Sequence, residues 1–430
     1  MKSIQFAGFL LLLISLNSYA QFSFDTYALH QLNIIDVNEK IILKDYSIVI
    51  HQDEILNILP SQNYVANDST HSIYLKNKYV VPGLIDAHVH FATDPTRERR
   101  DHAEMVLKEM LLTGITSVRD MAGDARALSS LARNTLVGDV DGPNIYYSAL
   151  MAGPEFFTDP RTVASAQGGV SGRMSYMKQI DSTSNLMIEV AQAKGTGASG
   201  IKLYANLSAT EIKNIVTEAK KQDIVVWSHA ALNPTKPSDV IASGVVSVSH
   251  ANMLLYEDYL SDKNLKERWE RHAEVENDSL FWDKEFKKLD FTVLYKAMVN
   301  NDVVLDATTT VLEKYAERPK YTWVYEIGKR IIAQAAENNV MIAAGSDSDQ
   351  KTFVQYEMKL LVEQCHMSPM EALVAATKHS AKATGILASE GTIEKGKKAN
   401  LLFLNADPTK DIDQIEDVFM VVKNGKLYKP

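Results

Sequence analysis

Through the middle of the chain, short apolar runs rich in Val, Ile and Ala alternate with longer stretches whose apolar residues recur at helical spacing. The runs at 84–91, 115–121, 144–149, 200–205, 223–229, 245–250, 303–308 and 340–346 read as strands. Eight strands separated by helix-length segments predict an α/β protein with a (β/α)8 TIM-like barrel over 82–388. An open doubly wound sheet is the competing architecture, but no Gly-x-Gly-x-x-Gly loop follows the first strand. The flanks differ in texture. Runs at 29–35, 41–43, 47–50 and 55–59 are β-rich and broken by Asp, Asn and Lys. The same texture returns at 400–404 and at 419–428, where Asn424-Gly425 predicts a hairpin turn. Residues 21–81 and 389–430 therefore predict one small β-sandwich domain assembled from both termini. Ser368-Pro369-Met370-Glu371 has the form of a capping box with proline at the first helical position. One connection is long. Residues 251–300, dense in charge and in aromatics (Trp269, Phe281, Trp282, Phe286), read as a solvated surface excursion or as a lid.

The first twenty residues stand outside this pattern. Lys2 precedes an apolar run over 6–16, and Ser18-Tyr19-Ala20 sets small residues where a signal peptidase reads. The run is shorter than the roughly 20 apolar residues of a membrane span. A buried N-terminal helix is the plainer reading, but 1–20 is better read as a signal peptide cleaved near Ala20. Export to the periplasm or the medium is then expected, with no stable membrane anchor. The net charge of -9 argues against a nucleic-acid partner, which would meet a basic surface. Cys365 is the single cysteine, so no intrachain disulfide forms and any metal must be held by nitrogen and oxygen.

Those ligands recur at strand ends. His88 and His90 lie two apart at the end of the first barrel strand, so alternation turns both imidazoles to one face. His229 and His250 end the fifth and sixth strands, and Asp347 follows the last. A lone histidine on an apolar strand is usually a satisfied core residue. Several at consecutive strand ends converge on one rim, where they suit a metal. Lys202, inside the fourth strand, is costly there as a cation. As a neutral amine it can take up carbon dioxide and become a carbamate able to bridge two cations; the alternative is pairing with a carboxylate across the rim.

These segments resemble the amidohydrolase superfamily, in its imidazolonepropionase-like and metal-dependent dipeptidase (prolidase-like) branch. The resemblance is carried by Val81-Pro82-Gly83-Leu84-Ile85-Asp86-Ala87-His88-Val89-His90, Gly114-Ile115-Thr116-Ser117-Val118-Arg119-Asp120 and Gly345-Ser346-Asp347. It extends through Glu371-Ala372-Leu373 and 391–400, where Asn400 stands in place of a frequent Asp. It implies two divalent metal ions, by default zinc. His88, His90 and Asp347 would hold the more buried ion, His229 and His250 the more exposed one. Carboxylated Lys202 and a hydroxide would bridge them, with Asp347 as the catalytic proton carrier. Tyr204, on the same face as Lys202, reads as a substrate contact or as packing. The expected activity is hydrolysis of an amide or peptide bond in a small substrate such as a dipeptide or cyclic amide. Alternatives are an esterase, lactonase or phosphotriesterase using the same site, a single-metal centre with unmodified Lys202, or a non-catalytic exported binding protein. The expected partner is a small-molecule substrate, with self-association into a homo-oligomer left open.

Overall fold

The structure, a computed structural model, describes residues 25–66, 69–90, 97–166, 168–259, 262–275, 278–318, 321–347 and 353–430. The expected signal peptide lies outside these residues. Eight parallel strands form the barrel: β1 (Leu84–Val89), β2 (Ile115–Asp120), β3 (Asn144–Ala152), β4 (Gly200–Leu203), β5 (Val225–His229), β6 (Ser247–Ser249), β7 (Val304–Asp306) and β8 (Ile342–Ala343). Each pairs with the next in parallel. The ring closes where Ala87 N donates to Ala344 O at 3.0 Å and Asp347 N donates to His88 O at 2.8 Å. All six residues of β1 are buried, as expected for a strand covered on both faces. The eight apolar runs read from the sequence thus fall on the eight barrel strands.

Strands from both ends of the chain join one eight-stranded sheet. Its order runs Lys426–Tyr428, Val418–Lys423, Leu401–Leu404, Tyr79–Pro82, Thr26–Asp36, Ile41–His51 and Glu54–Pro60, with His71–Tyr74 also pairing Thr26–Asp36. Alternation explains its two faces. Leu401 and Phe403 enter a separate core with Tyr27, Leu29 and Ile48, whereas Leu402 and Leu404 join the barrel core. The expected hairpin turn is present, with Asn424 and Gly425 at φ 48° and 73°, the positive angles its twist requires. The runs at 41–43 and 47–50 prove to be one strand, Ile41–His51, carried past Asp45 by a positive φ and a register shift against Thr26–Asp36. Ser368 and Glu371 form the reciprocal capping box.

The long connection is helical, with Lys263–Val275, Ser279–Phe286 and Thr292–Asn301 as its main segments. Trp269, Trp282 and Phe286 are buried. The Trp282 ring stacks on Trp323 of helix Thr322–Glu337 at 5.0 Å. These aromatics are core residues of an added helical layer, so the segment is not a solvated excursion.

Candidate metal centre

The six expected ligands meet at the C-terminal rim of the barrel, where strand ends deliver side chains to a common point. His88 is on β1 and Lys202 on β4, both buried; His229 ends β5. His90, His250 and Asp347 follow β1, β6 and β8 and are partly exposed. His250 and Asp347 hold positive φ angles of 70° and 43°, an uncommon backbone state that turns each side chain off the strand direction.

Asp347 stands among the imidazoles. Its Oδ1 lies 3.3 Å from His90 Nε2 and 3.9 Å from His88 Nε2, and its Oδ2 lies 3.8 Å from His250 Nδ1. Donor atoms of His88, His250 and Asp347 all fall within 4.8 Å of one another. The His229 and His250 rings are 4.7 Å apart, and His88 and His250 5.1 Å. Burial does not follow the expected division into a deeper and a shallower ion, since His229 is more buried than His90 or Asp347.

The surroundings fix which nitrogen each histidine offers. His88 Nδ1 donates to Asp306 at 2.7 Å and His90 Nδ1 to the Ala122 carbonyl at 3.2 Å, leaving both Nε2 atoms toward Asp347. Burial lowers His88 and His229 below the ordinary histidine value and pushes His250 down to about 3, which keeps these rings neutral, the form that ligates. Burial and the nearby Arg119 bring Lys202 down to about 7. Burial acts on Asp347 in the opposite sense, but His88 and His90 outweigh it and hold the carboxyl well below its usual range. His90 rises to about 9 because Asp347 overcomes burial there. Asp347 thus holds positive charge on His90, while the His88, His229 and His250 rings stay neutral and Lys202 is divided between its two forms near neutral pH. Three neutral imidazoles, with an ionised carboxylate that a cation could claim from the His90 proton, suit a divalent metal.

A cavity of about 520 Å³ opens above these residues. Tyr204 forms its wall, with its ring 4.1 Å from His229 and stacked on Phe156 at 4.4 Å. Arg161, held by Asp159 at 2.7 Å, and Arg99 bring positive charge to the cavity, and Met121, Leu150 and Met177 supply apolar surface. Among the described residues, none of 251–300 lines it.

Sequence reasoning passed over Asp306 and Arg119 as site components. Both are fully buried beneath the cluster and joined at 3.1 Å. Asp306 carried the same signal as Asp347, a carboxylate ending an apolar run, and could have been found by it.

The chain is similar to ochratoxinase of Aspergillus niger, 24% identical over 413 residues that cover 86% of this chain and 79% of the other. It is also similar to imidazolonepropionase of Picrophilus torridus, 24% identical over 391 residues that cover 86% and 88%. Among solved structures, a Xaa-Pro dipeptidase with methionine bound in its active site superposes with a TM-score of 0.74 at 24% identity, covering 94% of this chain and 100% of that one. The profile of the amidohydrolase family matches residues 79–428, all eight barrel strands and the strands that close the companion sheet, and the chain belongs to that family.

Proposed function

We propose that this amidohydrolase is a metal-dependent enzyme that cleaves the carbon–nitrogen bond of a small amide, such as a dipeptide or a cyclic amide, outside the cytoplasm. The observation that carries the reading is the meeting of four histidines, Lys202 and Asp347 at the floor of one cavity. The relatives support amide chemistry, since a dipeptidase is among them. Two divalent ions, by default zinc, fit the donor set, with His88, His90, His229, His250 and Asp347 as ligands. Lys202, lowered to about 7 by burial and Arg119, is a neutral amine in part near neutral pH. In that form it can combine with carbon dioxide, losing one proton and gaining a carboxylate that would serve as a further metal ligand. Such ions supply an acidified water and polarise the scissile carbonyl.

The remaining steps belong to the chain's own groups. Asp347, ionised and facing the cavity, takes a proton at Oδ2 and returns it to the leaving nitrogen. Tyr204 and Phe156 hold the flat amide against the histidines. Arg161 and Arg99 offer a carboxylate at the far end of the substrate an ion pair, which sets the scissile bond over the cluster. The apolar run at 6–16 and the small residues before Gln21 support export.

Metal analysis of the purified mature chain, with turnover of dipeptides, cyclic amides and lactones, tests the proposal. About two transition-metal ions per chain and chelator-sensitive amide hydrolysis are expected. Turnover of lactones alone would move the assignment to esters. A metal-free chain without activity would refute it.

A further inference from the structure

We propose that Asp306 is a positioning residue that ties two halves of the metal centre to one buried charge, an inference that rests on the metal-centre reading above. Its Oδ2 accepts three bonds: from His88 Nδ1 at 2.7 Å, Ser249 Oγ at 2.9 Å and Arg119 Nη2 at 3.1 Å. Arg119, Ser249 and Asp306 are fully buried and His88 nearly so. An ionised carboxylate only accepts, so His88 must carry its proton on Nδ1 and keep the Nε2 lone pair for a cation. The single proton of Ser249 is likewise given to Asp306. The serine oxygen is then left as an acceptor, and Lys202 Nζ donates to it at 3.2 Å.

One carboxylate on β7 thereby sets the tautomer of His88 on β1 and the direction of Lys202 on β4. The second link survives carbamate formation. The lysine nitrogen then loses one proton, gains the carbon of carbon dioxide and retains one N–H for Ser249. Arg119 supplies the counter-charge and is itself pinned, donating also to Ala87 O, Ser247 Oγ and Ala383 O. The hub has little slack. A Cβ at Gly345 would lie 2.4 Å from Asp306 Oδ1 and 2.6 Å from His88 Cβ, so the segment after β8 passes here only as glycine. If Asp306 merely neutralised Arg119, its loss would lower stability and leave metal binding alone.

Zinc and cobalt(II) titrations of the full chain separate these roles. A wild-type chain that binds neither ion would remove the metal-centre reading and this inference together. Asp306→Asn keeps the size but removes the charge and the fixed tautomer. Its zinc affinity in chelator competition is expected to fall about ten- to a hundred-fold, with a changed visible spectrum of the cobalt form. Ser249→Ala leaves Asp306, His88 and Arg119 in contact. It is expected to lose the carbamate signal of Lys202 in carbon-13 spectra taken with labelled bicarbonate, and Ser249→Thr to retain it. Unchanged zinc affinity in a folded Asp306→Asn, or an unchanged carbamate signal in Ser249→Ala, would overturn the inference and leave the metal-centre reading standing. A zinc-loaded wild type without the signal would do the same. If Asp306→Asn fails to fold because Arg119 loses its counter-charge, the Ser249 pair decides.

Discussion

Asp347 and Tyr204 face the same cavity with different duties, and single substitutions separate them. Asp347→Asn keeps an oxygen for the cation but cannot accept a proton. Turnover of any amide the wild type hydrolyses should fall about a hundred- to ten-thousand-fold while the far-ultraviolet spectrum stays native. A loss below tenfold would assign the proton transfer elsewhere. Tyr204→Phe preserves the ring contacts with Phe156 and His229 and deletes only the hydroxyl. KM should rise about tenfold, the worth of one hydrogen bond of roughly 1.4 kcal/mol, with kcat nearly unchanged. Steady-state kinetics on both variants check the division. At this scale the sequence was informative wherever a polar residue interrupts an apolar strand, which is how His229, His250 and Lys202 declared themselves. It was silent on Arg119 because nothing local marks an arginine whose carboxylate partner lies 187 residues away on β7. Only the closed ring brings them together.

Helix Thr309–Ala316 follows β7 and begins at Thr308, whose side chain provides no cap. The cap comes from another element. Glu357 accepts from Thr309 N at 2.8 Å and from Thr310 N at 2.7 Å, while Thr308 Oγ1 lies 3.0 Å from His250 Nδ1. Helix Val354–Glu363 thus holds the segment against which a candidate ligand rests. Burial outweighs these bonds and raises the Glu357 carboxyl from 4.5 to about 7. The sign follows from linkage. The native state holds this proton more tightly than the unfolded chain, so the contribution is full below pH 4.5 and is lost as pH rises toward about 7. Denaturant unfolding of wild type and Glu357→Gln across that window should show wild-type stability declining relative to the variant. Parallel profiles would mean Glu357 is ionised throughout. Element boundaries follow the apolar runs because β-strands buried on both faces leave an unbroken signal. For the long connection the sequence left a solvated excursion open because aromatics and charged surface alternate within it, and only packing against Trp323 shows which side is inward.

Barrel and sheet are joined by Glu390, a buried carboxylate that accepts from Ser117 on β2, Tyr146 on β3 and Asn400 beside strand Leu401–Leu404. Lys398 Nζ completes the pairing at 3.3 Å. Glu390→Ala would leave these donors facing one another without an acceptor. A stability loss of about 3–5 kcal/mol is expected, read as one cooperative shift in thermal unfolding that moves both regions together. Two separated transitions would show that sheet and barrel fold independently. Asn400 fits this place. Its Nδ2 donates to Glu390 at 3.0 Å, and a second carboxylate there would meet the first.

The sheet order also fixes a sequence of events in time. Strand Tyr79–Pro82, which leads directly into β1, pairs on one side with Leu401–Leu404, more than 300 residues later. All eight barrel strands have therefore been synthesised before that partner exists, and until then the edge of Tyr79–Pro82 is open to any other extended chain nearby. Only the arrival of Leu401–Leu404 closes that edge, so its exposure to aggregation lasts until every barrel strand has been made.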